Sequence, residues 1–260
     1  MPISNRPGLT SSEEQSLKHL KKHLGNHDIF IVAPEGLGVD FPGLEIKRFS
    51  PKYFGNVENY QRMVMSSGFY KTFGEYEYML TYHLDALVFS DQLLFWCEKG
   101  YDFIGAPWVK HDDSPNKGTV YDGRVGNSGF SLKKISTFIR LFDSDRYAYN
   151  VFDRWKRVHG NKSLLRKLVC IPDFFLGFFK RFNGIEWEVA NWDKSEEYFL
   201  LTRVSHYLPK YNVPDVEEAL KFAFEIVPEY CYELNNEKLP FGCHAWERYD
   251  EKFWEPYLLK

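Results

Sequence analysis

Apolar positions in the first 110 residues switch between helical and strand spacing. A helical pattern opens at Ser11-Ser12-Glu13-Glu14 and runs to about Leu24, where Gly25-Asn26 ends it. Either serine can cap this helix, and the two glutamates suit its positive end. Ile29-Phe30-Ile31-Val32-Ala33 is then a short apolar run stopped by Pro34, which reads as a buried strand. Leu44–Phe49 predicts a second strand, Asn56–Phe73 a helix and Tyr76–Tyr82 a third strand. Leu84–Phe89 continues that strand or follows it after a break, Gln92–Lys99 predicts a helix, and Tyr101–Gly105 predicts a strand. Strands alternating with helices imply βαβ units and a mainly parallel sheet, where ligands bind beyond the carboxyl ends of the strands.

The second half is less regular. Gly126–Leu132 reads as a strand running into a helix over Lys134–Phe142, Pro172-Asp173 starts another helix, and Pro214–Phe224 is amphipathic. The aromatic tail, Leu239–Lys260, carries no clear element. With no internal repeat and no low-complexity linker, 260 residues fit a single α/β domain.

Composition narrows the function. Aromatic residues make up 18% of the chain, enough to fill a core and also to line a sugar or nucleoside site. A net charge of −3 gives no global case for nucleic acid as a partner. Met1 to Thr10 lacks the basic and apolar blocks of a signal peptide, and no apolar run approaches the ~18 residues that would span a bilayer. Cys97, Cys170, Cys231 and Cys243 are scattered, without zinc-ligand spacing. A cytoplasmic location with reduced thiols is the expectation. The chain has no P-loop, GxSxG, HExxH or GxGxxG, which removes the usual support for kinases, common hydrolases, metalloproteases and Rossmann oxidoreductases.

Four segments carry side chains suited to chemistry. In Tyr82-His83-Leu84-Asp85-Ala86-Leu87, Asp85 follows an apolar strand, where a carboxylate must be paired, solvated or bound to a cation. Hard oxygen ligands suit Mg²⁺ or Mn²⁺; a turn or cap aspartate is the plainer alternative. Gly126-Asn127-Ser128-Gly129-Phe130-Ser131-Leu132 sets small polar groups between glycines, which allows close approach of a ligand to the backbone or simply a tight turn. Asp173, in Ile171-Pro172-Asp173-Phe174-Phe175, is either a first-turn helix acid or a general base. His244, in Pro240-Phe241-Gly242-Cys243-His244-Ala245-Trp246, is either structural or a metal ligand.

Together these segments, with Gly105-Ala106-Pro107-Trp108 and the run from Tyr76 to Phe89, resemble the domain of unknown function 5672 family, from Leu9-Thr10 to the C-terminus. That family is regarded as GT-A-like. The resemblance implies a GT-A-like α/β fold: a single domain, 1–260, with a mostly parallel mixed sheet flanked by helices. Residues 1–110 would form a nucleotide-binding half and 111–260 an acceptor half. The layout is also similar to glycogenin-like GT-A transferases. That similarity implies donor contacts from Asn5, Arg6, Arg62, Asp85, Asn127, Ser128 and Gly129, a Mn²⁺ or Mg²⁺ held by Asp85 and His244, and Asp173 near the transferred sugar. One departure stands out: the second acid of an Asp-x-Asp motif would fall at Leu87, which cannot bind a metal.

The implied activity is transfer of a sugar from a nucleotide-sugar donor, a UDP-sugar in the first instance, to a hydroxyl of a glycan, protein or lipid-linked acceptor. Asp173 would deprotonate that hydroxyl, giving inversion. The alternative is a non-catalytic nucleotide-sugar or carbohydrate-binding protein on the same fold, which Leu87 keeps open. A basic stretch over residues 154–167, containing Arg154, Lys156, Arg157, Lys162, Arg166 and Lys167, reads as a solvated face or as a peripheral contact with anionic lipid.

Overall fold

A computed structural model of the chain describes residues 1–2, 8–39, 41–161, 163, 166 and 169–260. Helix α1 (Ser11–Leu24) is capped by Thr10 and not by either serine. The Thr10 hydroxyl accepts the Glu13 amide at 3.3 Å, and the Glu13 carboxylate accepts the Thr10 amide at 2.8 Å, so both open donors are satisfied reciprocally. The buried Ser16 hydroxyl donates to the Ala86 carbonyl at 2.6 Å, which ties α1 to the turn that carries Asp85.

Strand β1 (Phe30–Pro34) pairs in parallel with β2 (Glu45–Phe49). The helix expected over 56–73 is two helices, α2 (Val57–Val64) and α3 (Ser67–Lys71). The break is local chemistry: the Ser66 hydroxyl accepts the Phe69 amide and so starts a new helix where the first one stops. Next come β3 (Tyr78–Tyr82), β4 (Leu87–Val88), α4 (Leu93–Glu98), β5 (Phe103–Gly105), β6 (Pro107–Trp108), β7 (Arg124–Val125), β8 (Phe130–Lys134) and α5 (Ile135–Phe142). The rest comprises α6 (Val151–His159), α7 (Ile171–Leu176), α8 (Ile185–Ala190), α9 (Glu196–Thr202), α10 (Val204–Tyr207), α11 (Val216–Phe222), β9 (Ala223–Phe224), α12 (Pro228–Leu234), β10 (Gly242–Cys243) and α13 (Glu251–Trp254).

The chain is mixed α/β, but the mostly parallel sheet is not what forms. Among the described residues the strands fall into four small sheets, ordered β1-β2, β4-β10-β9, β3-β8-β5 and β6-β7. Strands β1 and β2 are parallel, as are β9 and β10; the pairings β3·β8, β5·β8, β4·β10 and β6·β7 are antiparallel. The βαβ reading fails because β8, from the second half, inserts between β3 and β5 and runs against both. Strands β1 and β3 both line a mainly apolar cavity of about 500 Å³, with Phe30, Val32, Phe73, Met79 and Leu80 on its walls.

Packing crosses the chain. One core cluster joins Leu20, Ile31 and Val88 to Phe130, Phe222 and Phe241. A second surrounds Leu87 with Val109, Phe224, Cys243 and Trp254. The aromatic tail, which showed no element in the sequence, forms α13, and its fully buried Trp254 stacks on Phe89 with ring centroids 5.4 Å apart. Four residues are too few for apolar periodicity to reveal a helix. Among the described residues, no helix is long and apolar enough to cross a membrane.

Candidate functional site

Strand register brings distant residues to one point. Tyr82 of β3 lies opposite Phe130 of β8, so His83 and Gly129 meet just past the pairing, and the His83 amide donates to the Gly129 carbonyl at 2.9 Å. Phe224 of β9 lies beside Cys243 of β10 in parallel, so the next residues, Glu225 and His244, emerge side by side. The antiparallel pairing of β4 with β10 sets Leu87 opposite Cys243 and returns Asp85 to His244. The Trp246 amide locks that turn by donating to the Asp85 carbonyl at 3.1 Å. As a result, ligand atoms of His83, Asp85 and His244 all lie within 4.8 Å of one another.

His244 is held from both sides. Its Nε2 lies 3.3 Å from Asp85 Oδ1, and its Nδ1 lies 3.0 Å from Glu225 Oε1. Glu225 is a buried carboxylate and needs partners. It also accepts Asn127 Nδ2 at 2.6 Å and Trp108 Nε1 at 2.7 Å. Asn127 in turn accepts the Gly129 amide at 3.1 Å. On the other flank, the Tyr60 hydroxyl of α2 lies 3.2 Å from His83 Nε2.

This arrangement sets opposite charge states on the two imidazoles. Burial disfavours a protonated His244, but hydrogen bonds with Asp85 and Glu225 outweigh it and raise its pKa to about 10. Burial works against the Asp85 anion, yet His244 overcomes that and holds Asp85 down at about 2. Burial, with the charge of His244 adding to it, lowers His83 to about 3, which favours a neutral ring at pH 7.

Gly129 makes room for this cluster. A Cβ on Gly129 would lie 2.0 Å from His244 Nε2. The glycine therefore allows a close approach, as the sequence suggested, and the group that approaches is the His244 ring. Gly129→Ala should displace that ring and, where the cluster holds Mn²⁺, weaken that binding at least tenfold. The overpacking should cost about 1–3 kcal/mol, or roughly 2–10 °C in Tm. Gly68→Ala, with open space around its Cβ position, should leave both unchanged. Metal titration and thermal melts of the two variants check this.

The other residues singled out by sequence fall as follows. Asn5 and Arg6 lie outside the described residues. Arg62 is exposed and lines a groove of about 380 Å³ with Gln61, Trp192, Asp193, Lys194 and Ser195; the α2 residue that touches the cluster is Tyr60. Leu87 is fully buried in β4 against Val109 and Phe224, a position where a carboxylate would have no partner. Asn127 is committed to Glu225, and Ser128 donates to Glu197 Oε1 at 2.5 Å.

Asp173 sits in a different network. Its oxygens are 2.9 and 3.2 Å from the Arg154 guanidinium and 2.8 Å from His159 Nε2. Among the described residues, no hydrogen bond or ion pair joins it to His83, Asp85 or His244. Sequence reasoning missed Glu225, Glu197 and Tyr60. Glu225 carried the signal that marked Asp85, an acid just past an apolar run, Phe222-Ala223-Phe224. Glu197 and Tyr60 carried none.

A family model described as a protein of unknown function, DUF5672, matches residues 43–244, a span that includes every residue of the cluster. No curated protein and no solved structure matches the chain.

Proposed function

The chain belongs to the DUF5672 family of proteins of unknown function, and we propose that it is a glycosyltransferase of GT-A-like fold that moves a sugar from a uridine diphosphate donor to an acceptor hydroxyl. The observation that carries this reading is the Asp85–His244 pair at 3.3 Å, with Glu225 on the far nitrogen of His244. Metal-binding histidines characteristically give their second N–H to a carboxylate, which fixes the tautomer and points the other nitrogen at the cation. Glu225 stands in that place. The donor set of two imidazoles and one carboxylate fits Mn²⁺ better than Mg²⁺, which prefers oxygen throughout. Asp85, at 47% side-chain exposure, leaves the site open to a ligand from solvent.

A bound divalent cation would neutralise charge that grows on the diphosphate as the sugar leaves. The chain's own residues orient and protect. Glu225 and Asn127 fix the rim, and Tyr60 holds the His83 ring. Glu197, half-buried beside Ser128, is placed better than Asp173 to accept the acceptor's proton, since Asp173 is engaged by Arg154 and His159. A base on the acceptor side gives inversion at the anomeric carbon. The second reading, a non-catalytic sugar-nucleotide binder, is favoured by Leu87, which removes one expected metal carboxylate.

One experiment separates the readings. A UDP-sugar with Mn²⁺ should raise Tm, by about 2.7 kcal/mol of stabilisation at 100 times its Kd, and the enzyme should slowly hydrolyse that donor without acceptor. A shift without hydrolysis favours the binder. No shift with any UDP-sugar overturns both.

A further inference from the structure

Large apolar side chains that face solvent are concentrated in one part of the molecule. Val169, Ile171, Phe175, Phe178 and Phe179 are 80%, 47%, 58%, 56% and 60% exposed. Single exposed apolar residues are ordinary, whereas a joined group of aromatic rings marks an interaction surface. Two of these rings are joined through Phe174, which lies 5.8 Å from Phe175 and 6.1 Å from Phe178 between centroids; Phe179 follows Phe178 directly in the chain.

A polar frame holds the segment from beneath. Arg154, buried on α6, pairs with Asp173 and donates from Nε to the Phe182 carbonyl at 2.6 Å. Asn183 Nδ2 donates to the Gly177 carbonyl at 2.9 Å and to the Tyr149 carbonyl at 2.8 Å. The frame fixes the inner side and leaves Phe175, Phe178 and Phe179 exposed.

Basic residues outnumber acids around the rings. Over residues 151–182, Lys156, Arg157, Arg166, Lys180 and Arg181 are exposed; Lys180 pairs with the exposed Asp145, and the exposed Asp153 carboxylate is bonded to Asn150. Arg154 does not belong to this set, because it is buried against Asp173. The whole chain carries −3, so an anionic surface attracts this face and repels the remainder, which fixes orientation.

We propose that this face docks on an anionic lipid surface, with Phe175, Phe178 and Phe179 entering the headgroup–acyl boundary and the five exposed bases meeting lipid phosphates. Aromatic rings with flanking Lys and Arg are the combination that binds such interfaces. The occupant is lipid, because large exposed apolar rings beside exposed bases match an apolar layer under anionic headgroups.

The test is co-sedimentation of the full chain with phosphatidylcholine vesicles, with and without phosphatidylserine. Binding should need phosphatidylserine, by at least about tenfold, and should weaken with salt. The Phe175→Ser/Phe178→Ser/Phe179→Ser variant should lose at least about tenfold in binding with Tm unchanged, because the rings are already exposed. Lys180→Glu/Arg181→Glu should lose binding to a similar degree. Phe178→Trp should shift its fluorescence to the blue on vesicles, which reports insertion. Absence of wild-type binding to phosphatidylserine vesicles, or binding that survives the triple serine change, overturns the proposal. So does concentration-dependent self-association that the triple change removes, since that assigns the face to a second copy of the chain.

Discussion

Asp85→Asn should abolish the extra stabilisation that Mn²⁺ gives a bound UDP-sugar and should lower transfer by about 10²–10³-fold, the usual scale for removing a group that stabilises developing charge. The substitution keeps size and a hydrogen-bonding oxygen but removes the one carboxylate in the cluster. It also removes one of the two carboxylates that raise the His244 pKa, leaving Glu225. Proton and metal compete for the same nitrogen. In the metal-free protein the His244 ion pairs contribute stability that is complete below the ordinary His value near 6.5 and is lost as pH rises through about 10. Mn²⁺ must displace that proton, so its apparent affinity should climb by up to ~tenfold per pH unit below 10. Isothermal titration with Mn²⁺ at pH 6.5 and 8.0 on wild type and Asp85→Asn reads both effects. A variant that binds Mn²⁺ as tightly as wild type, with the same pH slope, ends the role of Asp85 as a ligand.

The elements of the first 110 residues were legible because each is marked by its own sequence: the apolar run ended by Pro34, the glycine after Leu24, the strand before His83. What could not be read was which strand lies beside which. Strand β8 sits between β3 and β5 through pairings such as Leu80 with Leu132 and Ile104 with Leu132, far apart in the chain, and no local pattern encodes that choice. The same limit applies to the site. Asp85 and His244 were each visible as an acid past an apolar run and a histidine after a glycine turn, but their meeting depends on two-residue strands, β4 and β10, too short to show periodicity. Leu87 is informative in hindsight. The chain keeps that position as core, and the side chain that stands beside Asp85 is His83, two residues ahead of it and not two after. Asn127 and Ser128 were found as residues, but not their partners: the first donates to Glu225 and the second to Glu197.

Glu197→Gln should cut transfer by at least about a hundredfold while donor affinity and Tm stay near wild type, and Asp173→Asn should do the opposite. An acceptor hydroxyl attacks well only if a positioned group takes its proton as the bond forms. Glu197 stands at the start of α9, half-buried, with the Ser128 hydroxyl donating to one oxygen at 2.5 Å and, among the described residues, no hydrogen bond to the other. Glutamine keeps an oxygen for Ser128, so the fold is preserved while the base is lost. Asp173 has the reverse character. The Arg154 hydrogen bond holds its carboxyl below the ordinary value, against some burial, and His159 adds to that. A carboxylate so held is a weak base and a good anchor. Its contribution to stability is present above the ordinary Asp value near 3.8 and fades as pH falls through the lower folded value. Asp173→Asn leaves the guanidinium of Arg154, 3% exposed, without its counter-charge. That should cost about 1–3 kcal/mol, or roughly 2–10 °C in Tm, and change turnover per folded molecule little. Transfer rate, donor Kd and Tm measured together on the two variants decide between them. Near-normal transfer in Glu197→Gln, with Asp173→Asn inactive at unchanged Tm, would return the base to Asp173.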